Sequence, residues 1–153
     1  MVKRFKKNNK EHVLNLLEFL KLHYAPDFYY TKDNQRFYIE TQKHLNEFIK
    51  TCKDIWITDD EREIKGVAVI WVAKGGEVKR DYIKMAAKNA TAADALLSVL
   101  LWNYDRETYV KVLKTSRHLN LFYKKGFKFL SSRGTQLLLK RDKHIFRNNI
   151  KKD

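Results

Sequence analysis

The sequence predicts an α/β domain built on a mixed, mostly antiparallel central sheet with one splayed parallel pair and helices on both faces. Three observations lead there. The 153 residues are 44% hydrophobic and 13% aromatic, enough apolar material for one packed core, which makes 1–141 a single domain. Three strand-like segments follow one another in mid-chain, as in an antiparallel meander. Strands then alternate with helical segments toward the C-terminus, which requires covered and partly parallel pairing.

The elements read as follows. A short edge strand spans 2–5, and Asn8 with Glu11 three positions on forms a capping box for a helix whose apolar face is Val13, Leu16, Leu17 and Leu20. Beyond Pro26, residues 26–38 carry Phe28, Tyr29, Tyr30, Phe37 and Tyr38 without a period of either kind, and are expected to be a structured loop. A second helix starts near Thr41 with Leu45, Phe48, Ile49 and Cys52 on one face. Then come a strand over 54–58, a charged turn over 59–65, and a uniformly apolar strand over 66–73 that should be covered on both sides. Gly75 and Gly76 turn the chain into a strand over 78–87. The helix over 91–102 has Thr91 as N-cap with Asp94 behind it, and Ala95, Leu96, Val99, Leu100 and Trp102 mark its expected buried side. A strand over 109–113, a short helix capped by Ser116 and ended by Gly126, and two strands over 127–130 and 134–140 complete the domain. Residues 142–153 form a basic tail.

Thirty-two basic residues face 18 acidic ones, for a net charge of +14. Such a balance ordinarily points to a polyanionic partner. Here the first ten residues hold five bases and no acid, and 140–153 hold six bases and two acids, so the ends carry most of the excess and the middle is only moderately basic. Lysines outnumber arginines 23 to 9, a bias that base composition of the gene produces by itself. No apolar run approaches the ~20 residues of a membrane span, and the basic N-terminus lacks a following signal-peptide run. A lone Cys52 closes no intramolecular disulfide. The expectation is a cytoplasmic chain without membrane contact. Five scattered histidines offer no metal-binding spacing, no nucleophile elbow or phosphate loop occurs, and Cys52 reads as a buried, inert thiol.

The informative stretch is 115–141. Its run Leu121, Phe122, Tyr123, Lys124, Lys125, Gly126, Phe127, followed by a hairpin, resembles the C-terminal half of the GNAT superfamily of acyl-CoA N-acyltransferases, whose members often read A-x-x-(L/F)-Y-x-K-x-G-F there. The order of elements agrees over 2–140. The resemblance implies acetyl-CoA as cosubstrate, no metal, and transfer of its acetyl group to a primary amine by direct attack in a ternary complex. It makes Tyr123 the acid that protonates the departing thiolate; the residue-level alternative is a core aromatic beside Phe122 and Phe127. It also implies that backbone groups of Met85, Ala86 and Ala87 align the pantetheine, with Ser116 and Lys124 contributing from the short helix.

Two departures stand out. The family's pyrophosphate turn, (R/Q)-x-x-G-x-(G/A), aligns with Lys88, Asn89, Ala90, Thr91, Ala92 and Ala93, where Thr91 replaces the middle glycine. Small side chains still let a phosphate approach the amides at a helix start, while the plainer reading is an ordinary capped helix. Ser116 stands where many members carry asparagine. On the acceptor side, the resemblance makes 26–40, with Asp27, Phe28, Tyr29, Tyr30 and Asp33, the wall of the amine site. Asp81 is the candidate base, against its reading as a solvated residue between Arg80 and Tyr82. The acceptor, small molecule or protein, is not legible, nor is homodimer formation. A second function class is a catalytically inactive GNAT-shaped module that binds nucleic acid or an acidic partner through its basic ends and the aromatic 28–38 segment. It is less favoured, because no nucleic-acid signature accompanies those aromatics.

Overall fold

The computed structural model describes residues 1–23, 25–60, 63–75 and 78–142. Gly76 and 143–153, on which an expected turn and most of the expected tail fall, lie outside them. The elements are β1 (Val2–Arg4), α1 (Lys10–Leu22), β2 (Tyr29–Lys32), β3 (Gln35–Tyr38), α2 (Gln42–Lys50), β4 (Cys52–Asp60), β5 (Glu63–Gly75), β6 (Val78–Ala87), α3 (Ala90–Trp102), β7 (Thr108–Leu113), α4 (Leu119–Lys124), β8 (Lys128–Arg133) and β9 (Gln136–Arg141). Seven strands form one sheet in the order β1-β4-β5-β6-β7-β9-β8, and β2 and β3 form a separate pair. Every neighbour in the large sheet is antiparallel except β6 and β7, which run parallel across the crossover through α3.

Period-2 alternation sorts the strands onto two faces. Ile55, Ile57, Val67, Val69 and Ala86 pack against α1 and α2, with Val13, Leu16, Phe19, Leu45 and Phe48 opposite them. Trp56, Ala68, Ile70, Ile83, Val110 and Val112 pack against α3 and α4, through Leu96, Leu97, Leu100 and Phe122. The mid-chain strand is covered on both sides, as its apolar sequence requires. Gly66 lets α3 settle on it: a Cβ there would stand 2.8 Å from Leu96 Cδ1. Gly126, at φ 95°, ends α4 with the left-handed turn that glycine adopts at no steric cost.

Several local expectations need correction. Residues 26–38 are no loop: Tyr29 pairs with Tyr38 and Tyr30 with Phe37 in a hairpin, turned by Asp33 and Asn34 at φ 53° and 63°. Aspartate and asparagine tolerate the left-handed conformation that a two-residue hairpin turn requires, and the aromatic run masked the period. The first helix is capped by Asn9, not Asn8, its side chain accepting from the His12 N–H. Cys52 starts β4 rather than closing α2, and its thiol donates to the Phe48 carbonyl. The charged turn over 59–65 shrinks, because Asp59 and Asp60 pair with Ile64 and Glu63. Helix α3 begins at Ala90 under an Asn89 cap, and Leu97 and Leu101 are buried while Trp102 is 62% exposed. So apolar a helix leaves its buried face undetermined by periodicity alone. Ser116 precedes α4 by three residues, its hydroxyl accepting from the His118 N–H.

Candidate functional site

The parallel pair defines the cleft. Strands β6 and β7 share one register pair, Tyr82 in the middle of β6 with Tyr109 near the start of β7. Beyond it, Ile83 to Ala87 on one strand and Val110 to Leu113 on the other have no register partner in each other, so the strands part toward their C-terminal ends. Two residues, Lys88 and Asn89, carry the chain from β6 into α3. At the opening α3 presents the amides of its first turn. Asn89 Oδ1 accepts from the Ala92 N–H at 2.9 Å and the Asn89 carbonyl from the Ala93 N–H, leaving the Ala90 and Thr91 amides as the donors at that end. Ala90 and Thr91 are exposed, whereas Ala92 and Ala93 are buried against the sheet. The stretch expected to be a phosphate turn is therefore mostly helix, which shortens the anion-facing backbone to two amides.

Helix α4 closes the other side. Leu121 packs against Ala87, Ala92 and Ala93, together with Met85. Arg117, just before α4, donates to the Ala87 carbonyl at 2.7 Å and stands 3.5 Å from that of Lys88, so a guanidinium lies at the mouth of the gap. Sequence reasoning passed it over because the family pattern directs attention to the preceding serine. Lys125 anchors the helix to α3 through Asp94 at 2.7 Å and Ser98 at 2.8 Å. Tyr123 sits in the last turn of α4, is 41% exposed, and no hydrogen bond among the described residues occupies its hydroxyl. Phe122 is the aromatic of this helix that enters the core, edge-on to Phe127. Lys124 is exposed beside it.

On the other face of β6 and β7 lies a polar cluster that sequence reasoning missed. Lys84 is only 7% exposed, and its Nζ has no hydrogen-bond partner. The ammonium stands 4.0 Å from the Trp71 ring and 4.2 Å from the Tyr29 ring, with Phe48 at 5.9 Å. Burial lowers it from the ordinary 10.5 to about 8, with the Asp27 carboxylate opposing that shift. Burial in turn raises the Asp27 carboxyl, while Lys84, Lys111 and Arg36 pull it down. Rings and cations alternate along this face: Arg36 lies over Tyr29, Lys84 between Tyr29 and Trp71, Lys111 over Tyr82, and Arg80 over Tyr109. The available signal was a lysine between Ile83 and Met85 in the expected strand over 78–87.

The remaining candidates separate. Asp81 points to the α3 side of the sheet, where it accepts from the Tyr104 hydroxyl and from Lys53 Nζ at 3.4 Å. It is neither free on the acceptor face nor simply solvated. Phe28 is a core residue, 2% exposed against Phe48. Tyr30 stacks on Phe37 near His44 and α2, and Asp33 is spent on the hairpin turn. Of the expected wall, Tyr29 reaches the Lys84 cluster, with Asp27 and Arg36 of the same segment beside it. Cys52 is pushed up to about 12 by burial and stays a thiol.

Comparison with known proteins agrees with this architecture. No protein-family model matches the chain, and no curated protein matches it by sequence. Solved structures do. A ribosomal-protein-alanine N-acetyltransferase from Brucella melitensis is similar with a TM-score of 0.67 at 9% identity, over 93% of this chain and 99% of that one. The GNAT domain of PAT from S. lividans gives 0.67 at 14% identity, over 92% and 89%. The Campylobacter jejuni N-acetyltransferase PseH in complex with acetyl coenzyme A gives 0.60 at 15% identity, over 94% and 99%. The chain thus has the GNAT acyl-CoA N-acyltransferase fold, and it is similar to these enzymes along nearly its whole length. No helix among the described residues is long and apolar enough to cross a membrane.

Proposed function

We propose that the chain is a cytoplasmic N-acetyltransferase that moves an acetyl group from acetyl-CoA to a primary amine by direct attack. The observation that carries this reading is the single register pair joining β6 and β7, with the strands parting beneath the start of α3 and beside α4. That gap is the place for a thioester arm. The residues around its mouth suit a polyanion: the Ala90 and Thr91 amides at a helix N-terminus, Lys88, and Arg117 on the last carbonyl of β6 and that of Lys88.

Acetyl-CoA supplies the activated carbonyl. The acceptor nitrogen must be neutral to attack it, so a group on the hairpin face removes a proton first; Asp27, raised by burial, suits that role better than the occupied Asp81. Nitrogen then bonds to the carbonyl carbon, the C–S bond breaks, and the thiolate takes a proton. The free, exposed hydroxyl of Tyr123 at the end of α4 is the donor. No covalent enzyme intermediate is needed, and positioning does most of the work.

Calorimetry with acetyl-CoA on the wild type and Tyr123→Phe, followed by acetyl transfer to a panel of amines, tests this. Micromolar binding by both proteins and turnover lower in the variant by roughly 10 to 10⁴-fold support it. Absence of binding at millimolar acetyl-CoA rejects the enzyme and leaves the inactive module.

A further inference from the structure

We propose that the acceptor is a primary amine bearing its own carboxylate, an amino-acid-class molecule held on the hairpin face with its carboxylate at Lys111 and Arg36 and its ammonium toward Asp27. This rests on the acyltransferase reading above. The cluster is out of balance: three cations, Lys84, Lys111 and Arg36, act on one half-buried carboxylate, Asp27. Among the described residues none of the three forms an ion pair within 4 Å. By contrast Arg80, at the far end of the same face, has Glu107 nearby, and Glu107 is itself bonded to Tyr109 and Lys140.

Aromatic rings tolerate a cation but accept no ordinary hydrogen bond, so Tyr29 and Trp71 hold the buried Lys84 ammonium apart from water without satisfying it. An anion completes the set. Lys111 and Arg36 are exposed and supply donors a ligand can touch, the Arg36 fork matching a carboxylate in two parallel bonds. Lys84 lies beneath, its charge adding to the field without direct contact. A bare anion would leave Asp27 facing only cations, whereas a molecule with both charges pairs each end. The face adjoins the point where β6 and β7 part, since Lys84 lies two residues beyond the last register pair.

The test compares the common amino acids with their carboxamides as acceptors, using acetyl-CoA and the full chain. The expected result is a kcat/KM at least tenfold higher for acids than for their amides. In Lys111→Gln/Arg36→Gln, kcat/KM should fall at least tenfold more for the acids than for the amides. Amides acetylated as well as acids, or an equal loss for both in the double variant, overturns the proposal. Acetyl-CoA binding without transfer to any amino acid also overturns it and leaves the acyltransferase reading standing. Failure to bind acetyl-CoA removes both.

Discussion

Strand β6 carries two charged residues three positions apart whose fates are opposite. Asp81 faces α3 and has two partners, Tyr104 and Lys53; Lys84 faces the hairpin and α2, more deeply buried, with none. A buried charge without a hydrogen bond costs free energy, so a fold keeps it only if something else gains. Asp81 is therefore explained by the structure it bonds, joining β6 to the segment after α3. Lys84 has ring contacts with Trp71 and Tyr29 but no hydrogen bond from the protein around it. The two residues show that charge and strand position alone do not mark a functional group. Satisfaction by the surrounding protein does.

Breaking the comparison at Lys84 should have the largest effect on stability. Its folded-state value, about 8, lies below the 10.5 of the exposed side chain, so the charged form is disfavoured by folding. The unfolded chain binds more protons between those values. Stability should accordingly rise with pH from about 8 toward 10.5, and the full cost should be present below 8. Lys84→Met removes that cost, and at pH 7 should stabilise the chain by about 1–3 kcal/mol, part of the gain being offset by lost support for Asp27. Urea midpoints of both proteins at pH 7 and 10.5 check this: the gap should close at the higher pH. A variant less stable at pH 7 would show that Lys84 is structurally paired after all.

The opposite sign is expected at the satisfied residue. Tyr104→Phe removes a donor to Asp81 and leaves a half-buried carboxylate with Lys53 alone, at a cost of about 1–2 kcal/mol. Thermal melts of Tyr104→Phe, Asp81→Asn and the double variant measure the coupling. Strict additivity would mean that the pair contributes nothing.

Asn89 extends the rule to a helix end, with the smallest effect. Asn89→Ala removes the acceptor for the Ala92 N–H and should cost about 1 kcal/mol in denaturant unfolding. Acetyl-CoA affinity should fall little, because the exposed amides are those of Ala90 and Thr91. A large loss of affinity with unchanged stability would make Asn89 a ligand contact rather than a cap.

Much of the molecule was legible in its sequence because the controlling physics is local. The order of the elements other than β2 and β3, the doubly covered β5 and the helix ended by Gly126 follow from periodicity, turn chemistry and one recurring motif. Even the hairpin at 29–38 was encoded locally, in the adjacent Asp33 and Asn34, although the aromatic run concealed it. The tertiary structure alone decided which polar residues are satisfied. Asp81 finds Tyr104 across 23 positions, and Lys84 is shut from water by Tyr29, Phe48 and Trp71 from three other segments. Desolvation depends on everything packed around a group, so no window of sequence contains it.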